Sequence, residues 1–386
     1  MHKLQRLLPK LGGGVLISTK LYKPRVSIVI LNYNGKTYLG NCLFRCLSSV
    51  LKTNYDDFDV IFFDNGSTDN SVEYVQKMLG KNTKLKIVKN SKNLGFAQGN
   101  NLAITHASGD YIVLLNSDVE VENNWLLELV KVMENDPTIG IAQSKILDFD
   151  RIHIQTVGNL LDASLDTYLI GHNQIDNGQY DKICEITYAS GATLITRRSL
   201  IEKIGLFDSN YFFYHDDCDL GWRARIAGYR VVFVPSSIVY HRGEATSSLF
   251  FKKNEKYLYY HCSCIGLLLK NFELKNLPKF GTIMLINIAM DFMGLIQRGD
   301  TKTLNALMIW TVKNFKQNWK KRLMIQKRIR QVSDEKVLKY FIGSSLLIPH
   351  KMRRNLNVFK GNRIHDNFDK IVNLMKEDYY RKHSEK

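Results

Sequence analysis

VSIVILNYNG, Val26–Gly35, is the stretch that decides the fold. Val26 to Leu31 form an apolar run without in-out alternation, as expected of a strand buried on both faces. An Asn-Tyr-Asn-Gly turn follows, and then Tyr38, Leu39, Cys42, Leu43, Cys46, Leu47, Val50 and Leu51 recur at the spacing of one helix face. The alternation continues down the chain. FDVIFF (58–63) leads to a helix through Val72, Val75 and Met78. LKIV, from Leu85, leads to a helix through Leu102 and Ile104, and YIVLL closes the series at 111–115. Apolar strands separated by amphipathic helices predict an α/β fold, a mostly parallel doubly wound sheet with helices on both faces. Ligands bind such sheets beyond the carboxyl ends of the strands.

Those ends carry NYNGK, DNGSTDN, KNSKNLGFAQGNN and NSDVEVE. Turn formation and helix capping explain part of this Asn, Asp, Gly and Ser content; Asp69 and Asn70 are placed to start the next helix. A second block, about 140–243, holds the strand candidates ICEITYASGATLITR and YRVVFVPSSIVYH around an acidic stretch, YFFYHDDCDLGW, where Asp216, Asp217 and Asp219 crowd beside His215. From Glu244 the chain reads as helices with Lys-rich connectors. The expected organisation is a loose basic leader over 1–22, a domain over 23–248 divided near 120, and a helical basic region over 249–386.

Composition narrows the function. The chain of 386 residues is 45% hydrophobic and 11% aromatic, enough for a large core. Its six cysteines include no C-x-x-C pair, which argues against a zinc ribbon or disulfide framework and fits a reducing, cytoplasmic setting. Cys42 and Cys46 read as small core thiols. Gly281–Gln297 is barely long enough to span a bilayer and carries Asp291 near its middle, so it is read as non-spanning. The net charge of +17 invites a nucleic-acid reading. Its distribution points elsewhere: Lys313–Arg330 holds eight basic residues and no acid, interleaved with Phe315, Trp319 and Leu323–Ile325, as on a helix lying against an anionic membrane surface.

The motifs VSIVILNYNG, FDNGSTDNS, NLGFAQGNN, YIVLLNSD, ASGATLITRRSLIEKIGLFD, FFYHDDCDLGWRARIAGYRV and VYHRG, in this order, resemble the family 2 glycosyltransferases of the GT-A fold, particularly their rhamnosyltransferase-like branch. The resemblance spans about Lys23–Ser248. It implies a nucleotide-sugar donor, with Asn32, Tyr33, Asn34, Asp64 and Asn65 around the base and ribose, and Asn93, Gly95, Asn100, Asn116 and Ser117 as further donor contacts. The family more often has two acids where Asp64-Asn65 stands, which leaves open which of them meets the base. Asn116-Ser117-Asp118 replaces the usual Asp-x-Asp, so Asp118 is the implied carboxylate ligand of Mn2+ or Mg2+. His241 is implied as the second ligand; the rival reading is a diphosphate hydrogen bond from His241 or Arg242.

The same resemblance implies Asp217 as the base that deprotonates the acceptor, with Asp216 tuning it and Phe213, Tyr214 and Trp222 on the acceptor side. Asp219 is assigned to the helix dipole or to Arg223. The expected chemistry is inverting transfer from a UDP- or dTDP-sugar to a saccharide hydroxyl, lipid-linked at the inner membrane face, in cell-surface glycan assembly. Nucleic acid is not an expected partner. A nucleotidyltransferase would want a Gly-rich basic loop after the first strand, which NYNGKTYLG lacks. A nucleic-acid-binding protein would leave the loops unexplained, and a catalytically inactive scaffold would not need Asp118, Asp217 and His241 together.

Overall fold

Parallel pairing sets the carboxyl ends of the first strands in one row. In the computed structural model, which describes residues 23–162, 164–211, 214–243, 253–297 and 300–341, β1 (Val26–Asn32) is followed by α1 (Gly35–Leu39), α2 (Asn41–Leu51) and β2 (Phe58–Asn65). Next come α3 (Ser71–Leu79), β3 (Leu85–Asn90), α4 (Gly95–Ala103) and β4 (Tyr111–Asn116). β1 pairs in parallel with both β2 and β4, and β2 with β3. The register puts Asn32 beside Asp64, Leu31 beside Asn116, and Asn65 beside Asn90. The expected leader over 1–22, Phe213, and the parts 249–252 and 342–386 of the expected C-terminal region lie outside the described residues.

The chain then adds β5 (Val119–Val121), α5 (Trp125–Asn135), β6 (Ile139–Asp148), β7 (Ile154–Thr156), a β8–β9 hairpin (Asn159–Leu161, Thr167–Leu169), β10 (Cys184–Glu185) and β11 (Thr193–Arg197). α6 (Arg198–Ile204), α7 (Asp216–Ile226) and β12 (Arg230–His241) complete the sheet region. Four further α-helices follow among the described residues: α8 (Lys253–Asn271), α9 (Leu277–Ile296), α10 (Thr301–Met324) and α11 (Asp334–Leu338). The main sheet runs β10-β12-β6-β11-β4-β1-β2-β3, with β5 on β12 and β7 on β6. It is parallel through its first strands and mixed beyond β4, because β11 enters antiparallel to both β4 and β6.

Alternate residues of the strands feed two cores. Val26, Ile28 and Ile30 join Leu43, Leu47 and Val50 of α2 and Trp125 of α5 on one face. Val29, Ile61 and Phe63 face the other, whose core continues through Trp222, Leu267, Phe272, Phe280 and Phe341. The final helices therefore share the sheet domain's core. Strand β12 reaches the row of loops only after an irregularity between Val234 and Ile238, where Pro235 lacks an N–H for the ladder. Beyond it, His241 lies opposite Asp148 on β6 and Val119 on β5.

Candidate active site

The first two loops are stitched by side chains. Asn32 is fully buried and donates to Asp64 Oδ1 (2.9 Å) and Ser67 Oγ (3.1 Å). Ser67 Oγ in turn donates to Asp64 Oδ1 (2.5 Å) and accepts from the Asn34 amide (2.8 Å), while Asn34 Oδ1 accepts from the Thr68 amide (2.8 Å). Asn34 takes a left-handed backbone, φ 51°. The half-buried Tyr33 sits between these two buried asparagines, so of the three it is the one at the surface of the loop.

The second and third loops are joined by Asn65. Its side chain is 1% exposed and donates to Asn93 Oδ1 (3.0 Å) and the Gly95 carbonyl (3.1 Å), while accepting from the Leu94 amide (3.1 Å). Both ends of the amide are engaged with protein, which assigns Asn65 to holding the loops; Asp64 is buried too, accepting from Asn32 and Ser67 Oγ on Oδ1 and from the Ser67 amide on Oδ2. Asn100 is likewise buried and donates to the Phe96 carbonyl within its own helix (3.0 Å). Its expected donor contact is corrected to an inward, helix-stabilising one. Gly66, at φ 80°, lets the loops touch: a Cβ there would lie 2.5 Å from the Lys92 carbonyl carbon.

At the next strand end, the half-buried Asn116 and Ser117 lead into buried Asp118. His241 Nε2 lies 3.2 Å from Asp118 Oδ1 and 3.4 Å from Asn116 Nδ2. Burial raises the Asp118 carboxyl, but the charge and hydrogen bond of a protonated His241 outweigh it and hold it below the usual carboxylate range. Gln155 of β7, which sequence reasoning missed, fixes the imidazole. Its Oε1 is 2.5 Å from His241 Nδ1, and its Nε2 donates to Asp148 Oδ1 (3.2 Å), so its amide is oriented. An amide oxygen only accepts; Nδ1 therefore carries the proton, and the Nε2 position faces the carboxylate. A neutral ring would set a lone pair against Asp118 Oδ1, two acceptors that a divalent cation would satisfy together. Asp118 and His241 thus fit such an ion, with its remaining ligands left to a bound diphosphate. Among the described residues no group of three or more His, Cys, Asp or Glu side chains forms a closed metal site.

The acid pair opens α7 on the far side of a short turn. Tyr214 and His215 precede it with φ 68° and 63°, a left-handed conformation that non-glycine residues hold only when their surroundings enforce it. His215 is anchored through Nε2 to the Leu165 carbonyl (3.1 Å), and burial pushes its pKa down to about 4. This neutral ring adds no positive charge beside the acids. Asp217 accepts the Gly191 amide on Oδ2 (3.0 Å) and the Cys218 amide on Oδ1 (2.8 Å). Its carboxyl is raised by burial against those two hydrogen bonds, and that of Asp216 is pushed up to about 7 by burial and then by the Asp217 charge.

The turn Ser190–Ala192 brings the parts together. Ala192 accepts the Asn116 amide (3.0 Å), Gly191 holds Asp217, and a methyl on Gly191 would lie 3.3 Å from Phe96 at the start of α4. Asp219, by contrast, faces the core and accepts from Arg223 Nε (2.7 Å), one of the partners expected for it. Trp222 is corrected: it is 1% exposed and packs edge-on against Phe272 (4.7 Å) and Phe341 (5.1 Å), so it belongs to the core and not to an acceptor wall. Tyr214 remains half-buried, edge-on to Tyr260 at 6.4 Å.

Residues 27–205 match the model of a family described as glycosyl transferase family 2. An uncharacterized protein, y4gI, of Sinorhizobium fredii is 27% identical over 237 residues, which cover 58% of this chain and 25% of that protein. Glycosyltransferase GlyG of Streptococcus pneumoniae is 32% identical over 118 residues, 30% of this chain and 38% of that protein. A poly-beta-1,6-N-acetyl-D-glucosamine synthase of Staphylococcus aureus is 24% identical over 219 residues, 55% of this chain and 50% of that protein. The chain thus spans a quarter to a half of these relatives' lengths. Among solved structures, GalNAc-T7 with UDP, GalNAc and Mn2+ superposes with a TM-score of 0.53 at 15% identity, over 82% of this chain and 58% of that one. Staphylococcus aureus TarS 1-349 in complex with UDP-GlcNAc gives 0.50 at 15% identity, over 92% of each chain. At this identity the likeness is one of fold.

Proposed function

We propose that this chain, a member of glycosyl transferase family 2 through residues 27–205, moves a sugar from a UDP- or dTDP-sugar to a hydroxyl of a lipid-linked saccharide with inversion at the anomeric carbon. Asp217 takes the proton of the acceptor hydroxyl as that oxygen bonds to the anomeric carbon. The bond from carbon to the diphosphate breaks on the opposite face, and the nucleoside diphosphate leaves with its electron pair. Burial keeps Asp217 more basic than an isolated aspartate, and the Asp217 charge in turn holds Asp216 protonated beside it. Asp64 and Tyr33 meet the nucleoside in a frame that Asn32, Asn34, Asn65 and Ser67 hold rigid, and Tyr214 lies on the acceptor side. Asp118 and His241 would hold a divalent ion, whose chemistry there would be to supply positive charge against the departing diphosphate.

The observation that carries this reading is the single turn shared by the two halves of the site. The Asn116 amide binds Ala192, and the Gly191 amide binds Asp217, so the base and the cation-binding end are set by the same backbone. Such fixed placement is what in-line displacement requires. Thermal stabilisation by UDP, dTDP and GDP, each with and without Mn2+, tests the donor half of the reading; stabilisation by a uracil or thymine nucleotide that Mn2+ enhances is expected. Proton NMR of the first-formed product tests the mechanism, and retention of the donor's anomeric configuration would exclude a single displacement.

A further inference from the structure

Helices α9 and α10 pack against each other and the core, yet each leaves a row of large apolar side chains open. On α9 the inner row of Phe280, Ile283, Met284 and Phe292 is buried, while Leu285 (63% exposed), Met293 (57%) and Ile296 (52%) lie outward, eight and three residues apart. On α10, Met308 (53%) and Val312 (77%) share an outward row with Phe315, which stacks on Trp319 at 5.8 Å. Across the twenty residues of α9 only Lys279 and Asp291 are charged. A helix this apolar on all sides is ordinarily enclosed. An open apolar row of this extent marks a docking surface.

The charges beside it say what docks. Helix α10 carries Lys302, Lys313, Lys316, Lys320, Lys321 and Arg322 and no acid. Arg322 is buried on the carbonyls of Leu269 and Phe272, and Lys321 is committed to Asp208, which leaves Lys302, Lys313, Lys316 and Lys320 exposed. A second copy would set these lysines against one another. An acidic macromolecule would meet the lysines but leave the uncharged row of α9 in water. An anionic bilayer satisfies both, with apolar side chains at the acyl boundary and lysines at the phosphates. No helix among the described residues is long and apolar enough to cross a membrane, so the contact is a surface one. Of the stretch 313–330, expected from its charge to carry membrane contact, Arg322, Ile325 and Ile329 are buried, while Leu323, Met324, Lys327 and Arg328 stay exposed beyond the first turns.

We propose that the outward rows of α9 and α10 seat the protein on an anionic lipid surface. The inference rests on the lipid-linked acceptor reading and deepens it, because the docked helices are keyed to the catalytic helix. Lys321 of α10 and Lys270 of α8 both bind Asp208, and Lys270 also lies 3.2 Å from Asp219 of α7. Docking therefore fixes how the acid pair stands relative to the bilayer.

Flotation of the full chain with phosphatidylcholine vesicles, with and without phosphatidylglycerol, tests this without any acceptor present. Wild type is expected to float with the anionic vesicles only. The combined change Leu285→Ser, Met293→Ser and Val312→Ser, and separately Lys302→Gln, Lys313→Gln and Lys316→Gln, should each lower partition by about tenfold or more with circular dichroism unchanged. Failure of wild type to float, or full binding by the serine variant, overturns the proposal. So does lipid-free dimerisation that the serine changes abolish, which would make the face a self-interface. Donor hydrolysis measured without vesicles separates the two readings: hydrolysis without flotation removes the docking surface alone, and flotation without hydrolysis removes the transferase reading alone.

Discussion

Asp216 and Asp217 are neighbours in sequence but differently held, and that difference sets the first predictions. Asp217 is oriented by two backbone amides. Replacing it with asparagine should lower kcat by about a hundredfold to ten-thousandfold with donor KM little changed, as measured by donor turnover. As the proposed base, Asp217 acts when ionised, so kcat/KM should rise with pH along a limb above the ordinary aspartate pKa of about 3.9. Asp216→Asn replaces a carboxyl that stays protonated until about pH 7, so that limb should shift little. The folded-state pKa of Asp216, about 7, lies above its unfolded value, so its contribution to stability is present at low pH and lost as pH rises through about 7. Gln155→Leu should weaken Mn2+ binding by about tenfold to a hundredfold, and nitrogen NMR should then find the His241 Nδ1 proton lost from its present place. The positions of the acids and His241 at strand and helix ends were legible because each lies within a motif beside an apolar strand or at a helix start. Gln155 was not, since β7 is a three-residue strand whose partner His241 lies 86 positions away. Asn65, Asn100 and Trp222 have the residue types of a binding site, and only burial reveals that they serve the frame.

At the scale of elements, a buried ion network joins α7 to the helices that follow it. Asp219 binds Arg223 and Asn271, and Asp208 binds Lys270 and Lys321. Burial raises Asp208, but the two lysines outweigh it and hold it well below the usual range. Its stabilising contribution is present above the unfolded pKa and is lost as pH falls toward the folded value. Lys270→Met would leave buried carboxylates without their shared cation and should cost about 3–5 kcal/mol in urea unfolding. Gly66→Ala forces a Cβ onto the Lys92 backbone at a positive φ; donor KM should rise about tenfold to a hundredfold while the far-UV spectrum is kept. The parallel strands were legible as continuous apolar runs. The pairing of β11 between β4 and β6 was not, because antiparallel partners distant in sequence leave no local signal.

For the whole molecule, the GT-A fold implied by the loop motifs is the fold shared with the solved neighbours. The helical region expected beyond 248 is present in the described residues and is not a loosely attached appendage there. Phe272, Phe280 and Phe341 close the same core as Val29 of the first strand, and Trp222 is their contact with the catalytic helix. Sequence composition distinguishes a basic helical region from the sheet domain, but it cannot show that the two share a core, because that depends on which face each helix turns inward. The central claim remains the pairing of one base with one cation-binding end across the Ser190–Ala192 turn. Its most direct test is turnover of a panel of UDP-, dTDP- and GDP-sugars by wild-type protein and by Asp217→Asn, each with Mn2+ and with chelator. The account predicts Mn2+-dependent turnover of a UDP- or dTDP-sugar by wild type and its loss in Asp217→Asn despite retained nucleotide binding; undiminished turnover by that variant, or no turnover of any donor by wild type, would contradict it.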